Sequence, residues 1–325
     1  MKLCVTGGAG YIGSIVCERL LELGHEITVL DNLSTGHRAA VPEGCRLVEG
    51  DVRDAEALAR AIDPGADAVL HFAARSLVGE SVEKPLDYFD NNVTGAIALL
   101  RAMRARGTAR IVFSSSAAVY GAPASLPIEE EAPRRPENPY GWSKLMVEEI
   151  LSASQRAWGL SWVALRYFNA GGSTERLGED HRPETHLIPI VLDVAMGRRD
   201  ALTVFGDDYD TPDGTCIRDY IHVSDLAEAH VLALDAMAGG FSGALNLGSE
   251  APFTVLEVAR RTEALTGRPV ARSVGPRRSG DPPALVASSR RAEETLGWRK
   301  RKSDLDSIIR SAYEWRLRHP DGYPA

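Results

Sequence analysis

Leu3-Cys4-Val5-Thr6-Gly7-Gly8-Ala9-Gly10-Tyr11-Ile12-Gly13 is the stretch that decides the fold. Residues 3–6 carry no charge and read as a strand buried on both faces. Residues 7–10 form a glycine loop, and residues 11–23, closed by Gly24, read as a helix. A strand, a glycine turn and a helix in that order open a dinucleotide-binding βαβ unit. Gly7 permits the tight turn, Gly10 lets the backbone approach a pyrophosphate, and Gly13 lets helix and strand pack closely. The helix N-terminus then presents free N–H groups and a positive dipole end to the diphosphate. A purely structural glycine turn has the same outline, so the surrounding residues must decide between the two.

The second strand, residues 26–30, ends at Asp31. A carboxylate there accepts hydrogen bonds from ribose hydroxyls and repels a 2′-phosphate, so the expected cofactor is NAD rather than NADP. Asp51 follows the third strand, residues 46–49, and reads equally as an adenine contact or an exposed turn residue. The alternation continues with strands at 68–71, 110–114 and 161–167. Helices fall between them, one capped by Asp54, others at 90–104 and 140–156. This is an α/β chain with a Rossmann-type, doubly wound parallel sheet. Beyond Asn169 the character changes: 171–185 is loop-like, 187–196 helical, 202–205 a short strand. Residues 217–223, 225–237 and 244–247 again read as strand, helix and strand, returning the chain to the main sheet. The tail holds helical patterns at 254–266, 289–296 and 303–318. The expected division is a dinucleotide-binding domain at 1–170, with a return segment at 217–247, and a smaller mixed α/β substrate domain at 171–325.

The chain has 325 residues, 44% hydrophobic and 25% charged, which excludes global disorder. A net charge of −8 supplies no basic face and argues against nucleic-acid binding. The four cysteines, Cys4, Cys17, Cys45 and Cys216, are scattered without metal-ligand spacing and read as thiols of a reducing compartment. No stretch approaches the ~18 apolar residues of a membrane helix. Lys2 is followed by too few apolar residues for a signal peptide's core. The expectation is a cytoplasmic protein without membrane contact.

Ser114-Ser115-Ser116 stands at the carboxyl end of the fifth strand, the rim where open α/β sheets bind ligands. Tyr140 and Lys144, four apart at the start of a helix, share one face. A phenol with a pKa of ~10 is a poor base at neutral pH. A neighbouring ammonium and an oxidised nicotinamide both favour the phenolate, and lowering the pKa to ~7 takes on the order of 4 kcal/mol. Tyr140 then removes a hydroxyl proton as hydride leaves the carbon, Ser116 hydrogen-bonds the same oxygen, and Lys144 also holds the nicotinamide ribose.

The glycine loop together with Ser116 and Tyr140-x-x-x-Lys144 resembles the extended short-chain dehydrogenase/reductase superfamily. Further motifs narrow the resemblance to its UDP-glucose 4-epimerase family, also called the UDP-galactose 4-epimerases. They are Asp31-Asn32-Leu33, Val78-Gly79-Glu80-Ser81, Asn91-Asn92-Val93, Arg166-Tyr167-Phe168-Asn169, Arg218-Asp219-Tyr220-Ile221-His222-Val223 and the segment 319–324. They span essentially the whole chain, and the C-terminal ones are not shared by the superfamily at large. The resemblance implies transient oxidation of a UDP-sugar at C4, rotation of the 4-keto intermediate, and return of hydride to the opposite face. It implies NAD contacts from Gly7, Gly10, Tyr11, Ile12, Gly13, Asp31, Asn32, Asp51, Val52, Phe72, Ala73, Ala74, Asn91, Ser114, Tyr140, Lys144 and Tyr167. For the UDP-sugar it implies Ser116, Tyr140, Asn169, His186, Leu187, Arg218, Arg278, Asp281 and Leu285. Two arginines on a diphosphate make strong charge-assisted bonds.

Two positions depart from the family pattern. Some relatives carry a lysine near position 76 that approaches the cofactor; here Arg75 replaces it or the contact is absent. His186 stands where many relatives have Asn, and both offer a donor. His181 and His186 suggest a metal, but Pro183 lies between them and no third ligand is evident, so none is expected. The resemblance also implies that Leu285 lines the far end of the sugar pocket, where it is smaller than a tyrosine that would fill the N-acetyl space. A UDP-N-acetylglucosamine 4-epimerase is therefore the first alternative, and a nucleotide-sugar dehydratase another. The dehydratase needs an acid pair beside the serine, where this chain has Ala117-Ala118. A non-enzymatic NAD-binding module is disfavoured because Tyr140 and Lys144 are both present. A homodimer is implied, with the apolar 93–100 stretch, Leu145, Ile150 and Leu151 compatible with either an interface or a core.

Overall fold

The computed structural model describes residues 1–278 and 282–324. Among these, β1 (Lys2–Thr6), β2 (Glu26–Asp31), β3 (Arg46–Glu49), β4 (Ala68–His71), β5 (Arg110–Ser116) and β6 (Ser161–Tyr167) join one parallel sheet. A later strand completes its seven, in the order β10-β6-β5-β4-β1-β2-β3 with β10 at Gly243–Leu247. The strand order reverses between β1 and β4, the switch point where such sheets leave a crevice for ligands. α1 (Tyr11–Glu22), α2 (Ala55–Ala61), α5 (Gly95–Arg106) and α6 (Pro139–Trp158) cover the two faces. Between them come α3 (Val78–Glu83), α4 (Pro85–Tyr88) and a π-helical turn at Phe89–Thr94.

Period-2 alternation divides each strand between two apolar layers. Leu3 and Val5 of β1 join Ile15, Val16 and Leu20 of α1 and Leu226 and Leu234 of α8 (Val223–Ala238) on one face. Cys4 joins Leu58, Leu99, Met103, Val147 and Leu151 on the other. This double burial is why β1 reads as an unbroken apolar run. Of the ambiguous apolar residues, Leu99, Leu100 and Leu151 are buried in this second layer with Ile150 packed against it, and Leu145 is buried in a separate cluster with Ala117, Val119 and Phe168.

The return segment differs from expectation. Its helix α8 packs on α1 and β10 joins the main sheet, but its first strand, β9 (Ile217–His222), does not. β9 is the centre of a small sheet with β7 (Asn169–Gly171), β11 (Pro252–Thr254) and β13 (Ala284–Leu285). Length and apolar pattern alone do not say which sheet a strand joins. β8 (Leu202–Phe205) pairs with β12 (Arg272–Gly275), and α7 (Leu187–Ala195), α9 (Val255–Thr266), α10 (Arg290–Leu296) and α11 (Leu305–Arg318) complete the chain. β9 thus places Arg218 opposite Leu285 of β13, beside the carboxyl rim of the main sheet through β7.

Candidate active site

Tyr140 enters α6 in its first turn, where Asn138 caps the helix by accepting from Gly141 N at 2.9 Å and Pro139 pre-sets the backbone. One turn on, Lys144 is only 3% exposed. Its Nζ donates to the Ser114 carbonyl at 2.7 Å and lies 5.7 Å from the Tyr140 ring centroid. Ser116 ends β5; its Oγ accepts from Ala118 N at 3.1 Å and lies near enough to the Tyr140 phenol to favour its ionised form. The structure therefore gathers the three expected catalytic side chains on the sheet's carboxyl rim.

Their electrostatics differ from the sequence expectation. Burial pushes the Tyr140 phenol above its usual range, partly offset by the Ser116 hydroxyl. Burial also lowers the Lys144 ammonium to about 7, opposed by the Glu148 carboxylate. Each charge alone is disfavoured by desolvation; phenolate and ammonium together compensate one another. Glu148, one further turn along α6, was not singled out by the sequence. It accepts from Ser115 Oγ at 2.5 Å and from Arg166 Nε at 2.9 Å and Nη2 at 2.6 Å. Its signal was the same i, i+4 spacing that marked Tyr140 and Lys144.

The glycine loop fits a dinucleotide. Gly7 has φ +77°, and a Cβ there would lie 2.5 Å from Ala73 N, so the loop after β4 crosses it at contact distance. A Cβ on Gly13 would lie 2.2 Å from the Gly7 carbonyl, so the close approach is to the loop itself. Gly10 caps α1 without a side chain, leaving first-turn N–H groups for an anion. Asp31 fixes the turn by accepting from Ala9 N at 3.0 Å and Leu33 N at 2.9 Å, and burial raises its pKa. Asp51 accepts from Asn32 Nδ2 at 3.0 Å and is held well below the usual carboxylate range by Arg53. It is a paired turn residue, with Val52 buried beside it.

In the segment after β4, which crosses the glycine loop, the Phe72 and His230 ring centroids lie 4.8 Å apart. Ala73 and Ala74 follow Phe72. The buried Tyr167 hydroxyl is 3.5 Å from His230 Nε2. Burial lowers His230 to about 4 and His71 to about 3, so both are neutral near pH 7. Tyr11 donates its hydroxyl to the Gly172 carbonyl at 2.6 Å, and Ile12 packs on the core. Asn91 donates to Asn92 Oδ1 at 2.9 Å; Asn92, part of the Asn91-Asn92-Val93 motif but given no contact from the sequence, ties the Arg75 backbone to Ser143 Oγ. Both lie in the π-helical turn, a distortion common at functional sites. Arg75 turns its guanidinium toward Glu80, at 3.7 Å.

On the substrate side, Asn169 donates to the Asp219 carbonyl at 2.9 Å, while the Asp219 carboxylate gathers the Ser249, Glu250 and Ala287 amides. Arg218 Nη1 donates to the Ile217 and Pro282 carbonyls at 2.8 and 3.0 Å. The exposed Arg278 stacks 3.9 Å over the Phe205 ring. Asp281 lies outside the described residues. Leu285 packs against the cluster holding Ala117, Val119 and Phe168, next to Ser116. His186 caps α7 ahead of Leu187, but its Nδ1 faces two carboxylates, Glu179 at 2.8 Å and Glu184 at 2.9 Å.

A family model described as NAD dependent epimerase/dehydratase family matches residues 3–248. A UDP-glucose 4-epimerase of Streptococcus mutans is 50% identical over 99% of both chains. One from Streptomyces lividans is 52% identical over 99% of this chain and 98% of its own. The crystal structure of a UDP-glucose 4-epimerase from Bifidobacterium longum in complex with NAD+ and UDP superposes with a TM-score of 0.94. It has 39% identity and covers 99% of this chain and 100% of its own.

Proposed function

The chain belongs to the NAD dependent epimerase/dehydratase family, and we propose that within it the protein interconverts UDP-glucose and UDP-galactose. The observation that carries this reading is the convergence of Ser116, Tyr140 and Lys144 at the rim beside the glycine loop. NAD, when bound, accepts hydride from the sugar carbon and gives it back. Gly7, Gly10 and the α1 N-terminus hold its diphosphate, and Asp31 its adenosine ribose, which excludes NADP. Tyr140 takes the proton of the C4 hydroxyl and later returns it. Ser116 hydrogen-bonds the same oxygen, and Lys144 stabilises the phenolate. Arg218, Arg278, Asp281 and Asn169 bind the nucleotide end.

The dehydratase reading lacks its acid pair, since Ala117 and Ala118 follow Ser116. Leu285, beside the Ser116 loop, favours some turnover of N-acetylated UDP-sugars. The four free thiols, and the absence among the described residues of any helix able to cross a membrane, favour the cytoplasm. A homodimer is favoured by exposed apolar side chains on helices that pack together: Val78, Val82 and Leu86 on α3 and α4, Trp142 and Met146 on α6.

Tyr140→Phe tests the assignment, because it removes the proton acceptor and little volume. The variant is expected to keep NAD and UDP-sugar while turnover falls roughly 10²–10⁴-fold. Near-normal turnover in a coupled UDP-galactose assay would refute Tyr140 as the acid–base group.

A further inference from the structure

Glu179, His181, Glu184 and His186 lie on alternating positions either side of Pro183, just before α7. The sequence alone marks the two histidines and no third ligand. The fold supplies two, because the loop doubles back and brings one ligand atom from each residue within 4.8 Å of every other. Glu179 Oε1 stands 3.0 Å from His181 Nδ1 and 2.8 Å from His186 Nδ1. Zinc bonds of ~2.0–2.2 Å in a tetrahedron put ligand atoms about 3.3 Å apart, within the spread of the cluster, so binding would draw its farther atoms in and move the hydrogen-bonded pairs slightly apart.

Charge supports a cation. In the metal-free chain His186 pairs with the Glu179 and Glu184 carboxylates; once metal binding displaces the imidazole protons the four ligands sum to −2, which a divalent ion cancels. Glu184 also carries a buried oxygen, Oε2, with no hydrogen-bond partner, the Arg316 guanidinium being 3.9 Å away. A buried carboxylate oxygen without a donor is costly. Nitrogen and carboxylate donors in a four-fold set suit Zn²⁺ better than Mg²⁺ or Ca²⁺, which want six or more oxygens.

We propose that Glu179, His181, Glu184 and His186 form a tetrahedral site for a zinc-type divalent ion that braces the loop 179–186. The brace has a clear place in the architecture. His181 stands edge-on to Tyr11 of the glycine loop, ring centroids 6.3 Å apart, and His186 caps α7. The ion thus clamps the cofactor loop's neighbour to the helix that begins with Leu187. The site shares His186 with the expected UDP-sugar contacts, so it is tested by metal binding itself rather than by turnover.

Untagged holoprotein, stripped with a chelator, is titrated with Zn²⁺ and separately with Co²⁺. The expected result is one ion per chain, four-coordinate Co²⁺ absorption in the visible, and a thermal midpoint raised by Zn²⁺. His181→Asn, and Glu184→Gln as a second variant, should bind at least tenfold more weakly and lose the midpoint increment, with all four cysteines intact. Equal binding by wild type and a folded variant, a six-coordinate Co²⁺ spectrum, or loss of the ion on thiol alkylation would overturn the site. If neither variant folds, the wild-type Co²⁺ spectrum after alkylation decides between the same two outcomes.

Discussion

Lys144 is a cation held where a cation is costly. Its folded pKa of about 7 lies below the 10.5 of a free lysine, so the unfolded chain binds more protons between those values. Stability therefore rises with pH across that window, and the burial cost is complete below about pH 7. Lys144→Met should raise the thermal midpoint most at or below neutral pH, with the gain fading toward pH 10.5. Its activity should move the other way: without the ammonium, the acid limb of the pH–rate profile shifts upward. A profile that stays in place would remove the charge role of Lys144, and an unchanged midpoint at pH 7 would contradict its buried cost. Leu285 carries the substrate prediction at this scale. A methyl-sized fit is worth ~1–3 kcal/mol, so turnover of UDP-N-acetylglucosamine should be measurable but weak. Leu285→Tyr should suppress it and spare the parent sugars. Wild type without N-acetyl activity, or a tyrosine variant that keeps it, would show that Leu285 is not the gate.

At the level of elements, α6 was the most legible part of the site. Its i, i+4 pair of Tyr140 and Lys144 is a local signal, and the helix expected over 140–156 forms over Pro139–Trp158. Glu148 continues that spacing, but a buried carboxylate reveals itself only when β6 brings Arg166 across to pair with it. The strands of the main sheet were legible because double burial makes them continuous apolar runs. β9 was misplaced because its pairing depends on β7, β11 and β13, which are two or three residues long and carry no period to read. The same limit hid the metal-ligand set, whose carboxylates meet the histidines only through the loop's path. The exposed face of α3, α4 and α6 carries a prediction of its own. Leu86 is 78% exposed and Trp142 44%, an apolar surface suited to a second copy of the chain. Leu86→Lys with Trp142→Lys should yield a folded monomer by light scattering; an unchanged mass relative to wild type would exclude this face as the interface.

Across the whole molecule, the small sheet is tied to the main one where the chemistry lies. β7 follows β6 after a single residue and pairs with β9, so Asn169 and Arg218 stand near the rim that carries Ser116. The elements proposed to hold substrate and cofactor thus meet at the carboxyl edge, with Leu285 packed against the loop after Ser116. In the proposed reaction the polypeptide holds NAD as a resident oxidant which each turnover regenerates. Purified protein should therefore convert UDP-galactose to UDP-glucose with no NAD in the assay, and the cofactor it releases on denaturation should be NAD or NADH by mass. Failure to convert even with NAD supplied, or release of NADP, would contradict the account.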